Sequence, residues 1–503
     1  MGRGYLIGLA CFAATGSFLF GYDSGVMTNV IASPNYLHYF NTYPESNIIG
    51  AINSTFAGGA AIGSLCGGYF ADKWGRKPTI QLGAVIAFVG AALQASSVSL
   101  AMLLVGRIIA GWAIGLMSMA VPIYQAECAH PARRGLIIGL AQQMIGVGFI
   151  VSGWVGYACN HAKETSTFQW RFPLALQCAP AVLLAAGMFF FPESPRHLIS
   201  RDRYDEGLRV LRRLHYNGSN EEWINEEFTE IKNTISAEKE IQVPGWTAMF
   251  TVPQWRKRLL IATSLQMFAQ STGTNVINYY QTVMYRNLGI KGDTVSLMAC
   301  FFNMVGPITN IFFITLLIDR VGRRRPLLFG CAAITCCLLL EGICNSQNVA
   351  GDRKGLSAAG ILWIYLVSVF FSLSFGPISW TYMSEIMPYQ VRGTGVAFAT
   401  GIGNWAISVM WSQVSPKGLG KLGWKYYFVF VAFNACVTFP CIYFFFPETK
   451  KLSLEDIDNL FGGVVDTSRW RKDGAGSKAE PELKHTEELR EDTTENKFGA
   501  MGV

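Results

Sequence analysis

Residues 72–78 read DKWGRKP and residues 319–326 read DRVGRRRP, so an Asp, a Gly and a basic run closed by Pro recur about 250 positions apart. Two further pairs share nearly the same offset. YQAECAHPARRG begins at Tyr124 and YMSEIMPYQVRG at Tyr382, with Tyr, Glu, Arg and Gly at identical internal spacing. PESPR begins at Pro192 and PETKK at Pro447. Three motif pairs at one offset read as two copies of a single unit.

Each copy is a set of long apolar runs. Stretches of about 20 apolar residues, the length that crosses a bilayer, fall at 6–29, 47–70, 78–97, 101–122, 136–158 and 172–191. Six more fall at 259–284, 294–318, 327–345, 358–383, 393–414 and 424–446. The expected fold is an all-α membrane protein of twelve transmembrane helices in two pseudo-symmetric halves. Residues 1–191 form the first half, 192–257 a polar linker, and 258–446 the second half. Acidic and basic residues at helical spacing in RDRYDEGLRVLRRL predict short solvated helices in the linker. Residues 447–503 form a tail that, after Leu454, holds few large apolar residues and is expected to be disordered.

Composition agrees with this. Of 503 residues 51% are hydrophobic and only 15% charged, against about 25% in ordinary soluble domains. The twelve cysteines lie mostly in apolar runs with no nearby His, so neither a disulfide framework nor a metal site is suggested, and no cofactor is implied. The net charge of +7 is spread over loops, which argues against nucleic acid and leaves lipid as the surrounding partner. The first apolar run is too long for a cleaved signal. No nucleophile or phosphate-cradling loop points to an enzyme.

Orientation follows basic residues near helix ends. The short loops are balanced, but eleven Lys and Arg lie between Arg196 and Arg258, which puts that interval and both termini in the cytoplasm. Parallel repeats of this kind belong to secondary transporters whose substrate site lies near the midplane. The repeated charges, Asp72, Arg76, Glu127, Arg134 and Glu193 in one copy and Asp319, Arg323, Glu385, Arg392 and Glu448 in the other, then sit at cytoplasmic helix ends. Acidic residues do not anchor helices to lipid, so these are expected to form a latch of ion pairs that holds an outward-open state.

One carboxylate remains, in FLFGYDSGVM at 18–27. Asp23 lies about six residues before the first helix ends and Arg107 about six after the fourth begins, so at ~1.5 Å per residue both sit ~9 Å below the outer surface. An intramembrane carboxylate with a cation at its own depth is a functional candidate.

GYDSG, GRIIAGWAIGLMSMAVPIYQAECAHPARRG, PESPR, DRVGRRRP, SEIMPYQVRG and PETK together resemble the sugar porter family of the major facilitator superfamily, above all its fungal members. The resemblance runs from about residue 6 to about 460. It implies a sugar held between the halves by the fifth, seventh, tenth and eleventh helices. By motif, this site maps onto Gln142 in LAQQMIGVG, with Gln143 beside it. On the seventh helix it maps onto Gln266, Gln270, Asn275 and Tyr279. Trp380 in FSLSFGPISW, where Gly376 and Pro377 should break the helix, and Asn404 with Trp405 in GIGNW complete it. Three positions depart from the family pattern. Ala269 replaces the first of two adjacent glutamines, and Ser372 and Pro307 replace a Glu and an Asn of animal glucose facilitators. The chemistry also stands alone: sugar hydroxyls need amides, which both donate and accept, and the sugar ring face needs an aromatic plane.

Proton-coupled members of the family carry Asp at the GYD position with an Arg on the fourth helix, so the resemblance implies a proton/sugar symporter; a monomeric functional unit in the plasma membrane is expected. A uniporter for the same solutes and a non-transporting sugar sensor remain open. Hexoses, pentoses and sugar derivatives are not told apart.

Overall fold

The computed structural model describes residues 2–31, 33–42, 47–130, 134–163, 165–216, 218, 220–239, 245–290, 292–348, 353–387, 391–450 and 461. Its ordered elements are helices, with no strand among the described residues. The first six crossings are Gly4–Val30, Ile48–Trp74, Arg76–Ala95, Leu100–Cys128, Leu136–Asn160 and Phe168–Phe190. Four short helices follow, Pro195–Ser200, Tyr204–His215, Glu221–Lys239 and Gly245–Thr251.

The second set of six shows less plainly in hydropathy. The eighth, ninth and tenth crossings are Thr294–Leu317, Arg324–Gln347 and Lys354–Ile386. The apolar run Arg392–Phe445 holds two crossings, divided at Gly423 (φ +52°) into an eleventh helix (392–422) and a twelfth (423–445). The seventh is made of Pro253–Ser271 and Thr274–Asn287, joined through Gly273 at φ +95°. Its amides lower its hydropathy below that of an ordinary span, and its left-handed joint favours a residue without Cβ.

Helices are the natural answer to a solvent that cannot hydrogen-bond a backbone. With lipid as apolar as the side chains, close packing rather than hydrophobic burial holds them together, and small residues permit it. A Cβ on Gly21 would stand 1.9 Å from the Ile145 carbonyl oxygen, so the first and fifth helices meet backbone to backbone.

With twelve crossings, both ends of the membrane domain and the four short helices share one face, here the terminal face; the opposite one is the far face. The sequence places the break in the tenth helix at Gly376 and Pro377. The structure places it slightly earlier, at Leu373 and Ser374, and restarts the helix at Phe375. Pro377 thus falls in a first helical turn, where its missing N–H leaves no bond unmade. Nearly all of the tail expected to be disordered lies outside the described residues. Phe461 is an exception, buried with the Arg258 guanidinium 4.8 Å from its ring centroid.

Candidate functional site

A cavity lies between the halves, and the structure brings all eight motif-mapped residues around it. Gln142, Gln266, Gln270, Asn275, Tyr279, Trp380, Asn404 and Trp405 all line it. Gln270 Nε2 donates to Asn404 Oδ1, linking the seventh and eleventh helices. That leaves Gln270 Oε1 and Asn404 Nδ2 buried without a partner, one acceptor and one donor on the cavity wall. Asn275 Nδ2 donates to Ser408 Oγ at 3.0 Å. Unpartnered buried amide groups are costly, and a polyhydroxylated guest satisfies them.

The aromatic residues differ among themselves. Trp380 is half-buried with its ring at the cavity, whereas Trp405 is fully buried. Its indole N–H donates to Ser118 Oγ at 3.4 Å and its ring packs on Phe20 at 4.9 Å, so a second-half residue is embedded in the first half. The remaining wall includes Ser24, Phe149, Asn278, Phe371 and Ser408. Sequence reading missed these, although Asn278 and Ser408 stand three and four positions after Asn275 and Asn404 on the same helix faces. Gln143 turns away, accepting from Asn310 Nδ2 at 2.9 Å on the eighth helix. Among the described residues, no side chain with a formal charge lines the cavity.

Asp23 and Arg107 meet. Asp23 lies seven residues before Val30 and Arg107 seven after Leu100. Arg107 Nη1 donates to Asp23 Oδ1 at 2.5 Å and to the Asp23 carbonyl at 3.2 Å. Arg107 is 0% exposed and Asp23 3%. The guanidinium also lies 4.3 Å from the Phe56 ring centroid, while Nη2 has no hydrogen-bond partner. Ser24, next to Asp23, lines the cavity and neighbours the Tyr279 hydroxyl, which also reaches Ser408. The ion pair is therefore one residue removed from the cavity wall.

The halves touch beyond both ends of the cavity. On the far side Thr28 Oγ1 donates to the Asn278 carbonyl at 3.0 Å, and Ser54 Oγ to Gln413 Oε1 at 2.8 Å. On the terminal side Gly68 packs on Ala397, and the Asp72 carboxylate abuts Gly393 at the start of the eleventh helix.

The terminal-face charges form one cluster per half. Arg76 pairs with Glu127 at 3.0 Å and Asp72 at 3.6 Å; Arg323 pairs with Glu385 at 2.8 Å. Glu193 accepts from the backbone N–H groups of Arg76 and Lys77. Glu448 does the same for Arg323 and Arg324. These pairs join elements within one half, so the expected latch of pairs bridging the halves needs correction: here they brace each half internally. The cause is that each carboxylate caps or pairs with its own copy's motif. Among the described contacts, that of Asp72 with Gly393 spans the halves. The side chains of Arg134 and Asp319 lie outside the described residues. Arg392 begins the eleventh helix.

A two-half helical bundle with an amide- and aromatic-lined cavity between its halves defines an integral membrane carrier. The family model described as sugar (and other) transporter matches residues 9–461, and the chain belongs to that family, the sugar porters of the major facilitator superfamily. It is 36% identical to the MFS-type transporter criB of Aspergillus cristatus, over 92% of this chain and 94% of the relative. It is 33% identical to the high-affinity glucose transporter of Kluyveromyces lactis, over 93% and 86%. Among solved structures it is similar to the proton:xylose symporter XylE bound to 6-bromo-6-deoxy-D-glucose. That match has a TM-score of 0.79 and 24% identity, covering 92% of this chain and all of the other.

Proposed function

We propose that this sugar transporter imports a neutral sugar together with protons across the plasma membrane by alternating access, with both termini in the cytoplasm. The observation that carries the reading is the cavity free of formal charge, with a wholly buried Asp23–Arg107 pair one residue behind its wall. Amides of the seventh and eleventh helices exchange hydrogen bonds with sugar hydroxyls, and Trp380 covers a ring face. A sugar acid would need a cation facing the cavity, and Arg107 is engaged by Asp23.

Protonation of Asp23 from outside removes the charge that holds Arg107. The first helix then loosens against the fourth, and closure over the sugar is favoured through Ser24 and Tyr279. Release of sugar to the cytoplasm precedes release of the proton there, and re-formation of the pair resets the carrier. Names of relatives, including a proton:xylose symporter and a glucose transporter, fit this reading. The test is expression in a host stripped of its own sugar carriers, with uptake of a labelled sugar panel with and without a protonophore. Concentrative uptake abolished by the protonophore is expected. Uptake that only equilibrates, unaffected by the protonophore, would leave a uniporter.

A further inference from the structure

The ninth helix carries a carboxylate that neither the sugar cavity nor the Asp23–Arg107 pair uses. Glu341, six residues before Gln347, is 0% exposed, and neither of its oxygens has a hydrogen-bond partner among the described residues. Three helices surround it. From the tenth, Gly360 presents a bare Cα, and a Cβ there would stand 2.9 Å from Glu341 Oε2. From the twelfth comes the Tyr427 hydroxyl, and from the seventh Tyr285, with Leu288 packed beside Gly360. Cys344 and Asn345 complete the surroundings on its own helix.

None of these neighbours is a cation. The basic residues at the nearby helix ends, Arg353, Lys354 and Lys425, are exposed, Lys425 lying 5.8 Å from the Trp424 ring centroid. A buried carboxylate with no cation beside it, and with only the neutral Tyr427 hydroxyl as a neighbouring donor, does not stay ionised, because desolvating the charge costs far more than binding a proton.

We infer that Glu341 is a second proton-binding site, occupied in this conformation, where the neutral acid fits against Gly360 and holds the far-side half of the seventh helix to the ninth, tenth and twelfth. That half-helix carries Asn275 and Tyr279. It is further tied to the tenth helix where Ser357 Oγ donates to the Leu288 carbonyl at 2.8 Å. Proton loss at Glu341 would place an uncompensated charge in this packing and loosen the segment that forms one wall of the cavity. The assignment does not depend on Asp23 carrying a coupled proton.

The test is infrared spectroscopy of the purified full-length protein at neutral pH, comparing the parent with Glu341→Gln and, separately, Asp23→Asn. Glu341→Gln should remove a carbonyl stretch of a protonated carboxylic acid, a band that persists in Asp23→Asn. The variant should also keep the parental melting temperature, because an amide reproduces the shape and neutrality of the acid. Loss of an ionised carboxylate band instead would overturn the assignment. So would a Glu341→Gln protein that fails to fold, since that position would then require a charge. Neither outcome bears on sugar/proton coupling, which Asp23→Asn transport assays read separately.

Discussion

Arg107 Nη1 stands 2.5 Å from Asp23 Oδ1 inside the first half, on helices that enter the membrane from opposite sides, with both side chains out of contact with solvent. A pair so buried is expensive to assemble, and removing one partner strands the other. If the pair only braced the bundle, Asp23→Asn would reduce folding along with every mode of transport. If it carries the proton, the variant should be well expressed, should exchange sugar by counterflow and should fail to concentrate it. Immunodetection of surface protein, counterflow and uphill uptake on one variant separate the two.

Gln270→Ala and Asn275→Ala should each weaken sugar binding by about 0.5 to 1.5 kcal/mol for a lost neutral hydrogen bond, and more where the partner is stranded. Gln270→Ala carries the larger expected effect because it also leaves Asn404 Oδ1 without its donor. Equilibrium binding to purified protein measures this. Parental affinity in both variants would remove the seventh helix from the site.

For Trp380, the proposed contact is a ring face rather than the indole N–H. Trp380→Ala should lower affinity by about 1 kcal/mol or more, with Trp380→Phe partly restoring it. Equal loss in both variants, read by the same binding assay, would assign the contact to the N–H.

Both six-helix halves were legible because charge motifs at helix ends repeat in sequence and because lipid demands long apolar runs. The seventh helix was legible both as the apolar run 259–284 and by motif, although the amides that make it a site make it more polar than the other crossings. Asn278 and Ser408 were missed although they fall at helical spacing from Asn275 and Asn404. The ion-pair partners were misjudged for a different reason. Spacing gives Arg76 and Glu127 the same helix-end depth but does not say whether two such groups meet within a half or across the interface. That depends on helix rotation, which two hydrogen-bonding motifs of the same copy decide here.

Because Arg323 and Glu385 brace one half, Glu385→Gln should cost stability rather than affinity. The pair is only partly exposed, at 9% and 21% of the two side chains, and Thr449 Oγ1 also donates to Glu385. A loss of about 1.5 to 3 kcal/mol is expected for a charge-assisted contact, read as a lower melting temperature with unchanged sugar affinity. Parental stability with altered affinity would return this pair to gating.

On the terminal face, His197 Nδ1 lies 3.0 Å from Arg76 Nη1. Burial and then the Arg76 guanidinium push its pKa down from 6.5 to about 4. The unfolded chain therefore binds more protons than the folded one between these values, so this residue makes stability fall as pH drops from 6.5 towards 4. His197→Gln should flatten that part of the acid-side profile in thermal unfolding of detergent-purified protein. An unchanged profile would mean His197 keeps its ordinary titration.

Proton coupling is tested most directly by reconstituting the purified protein in liposomes without a pH gradient and adding sugar outside while recording external pH. Sugar entering with protons should make the medium more alkaline, and the change should be abolished by a protonophore and absent in Asp23→Asn. Sugar that equilibrates across the parent membrane with no movement of protons would contradict symport and leave Asp23–Arg107 as a static brace.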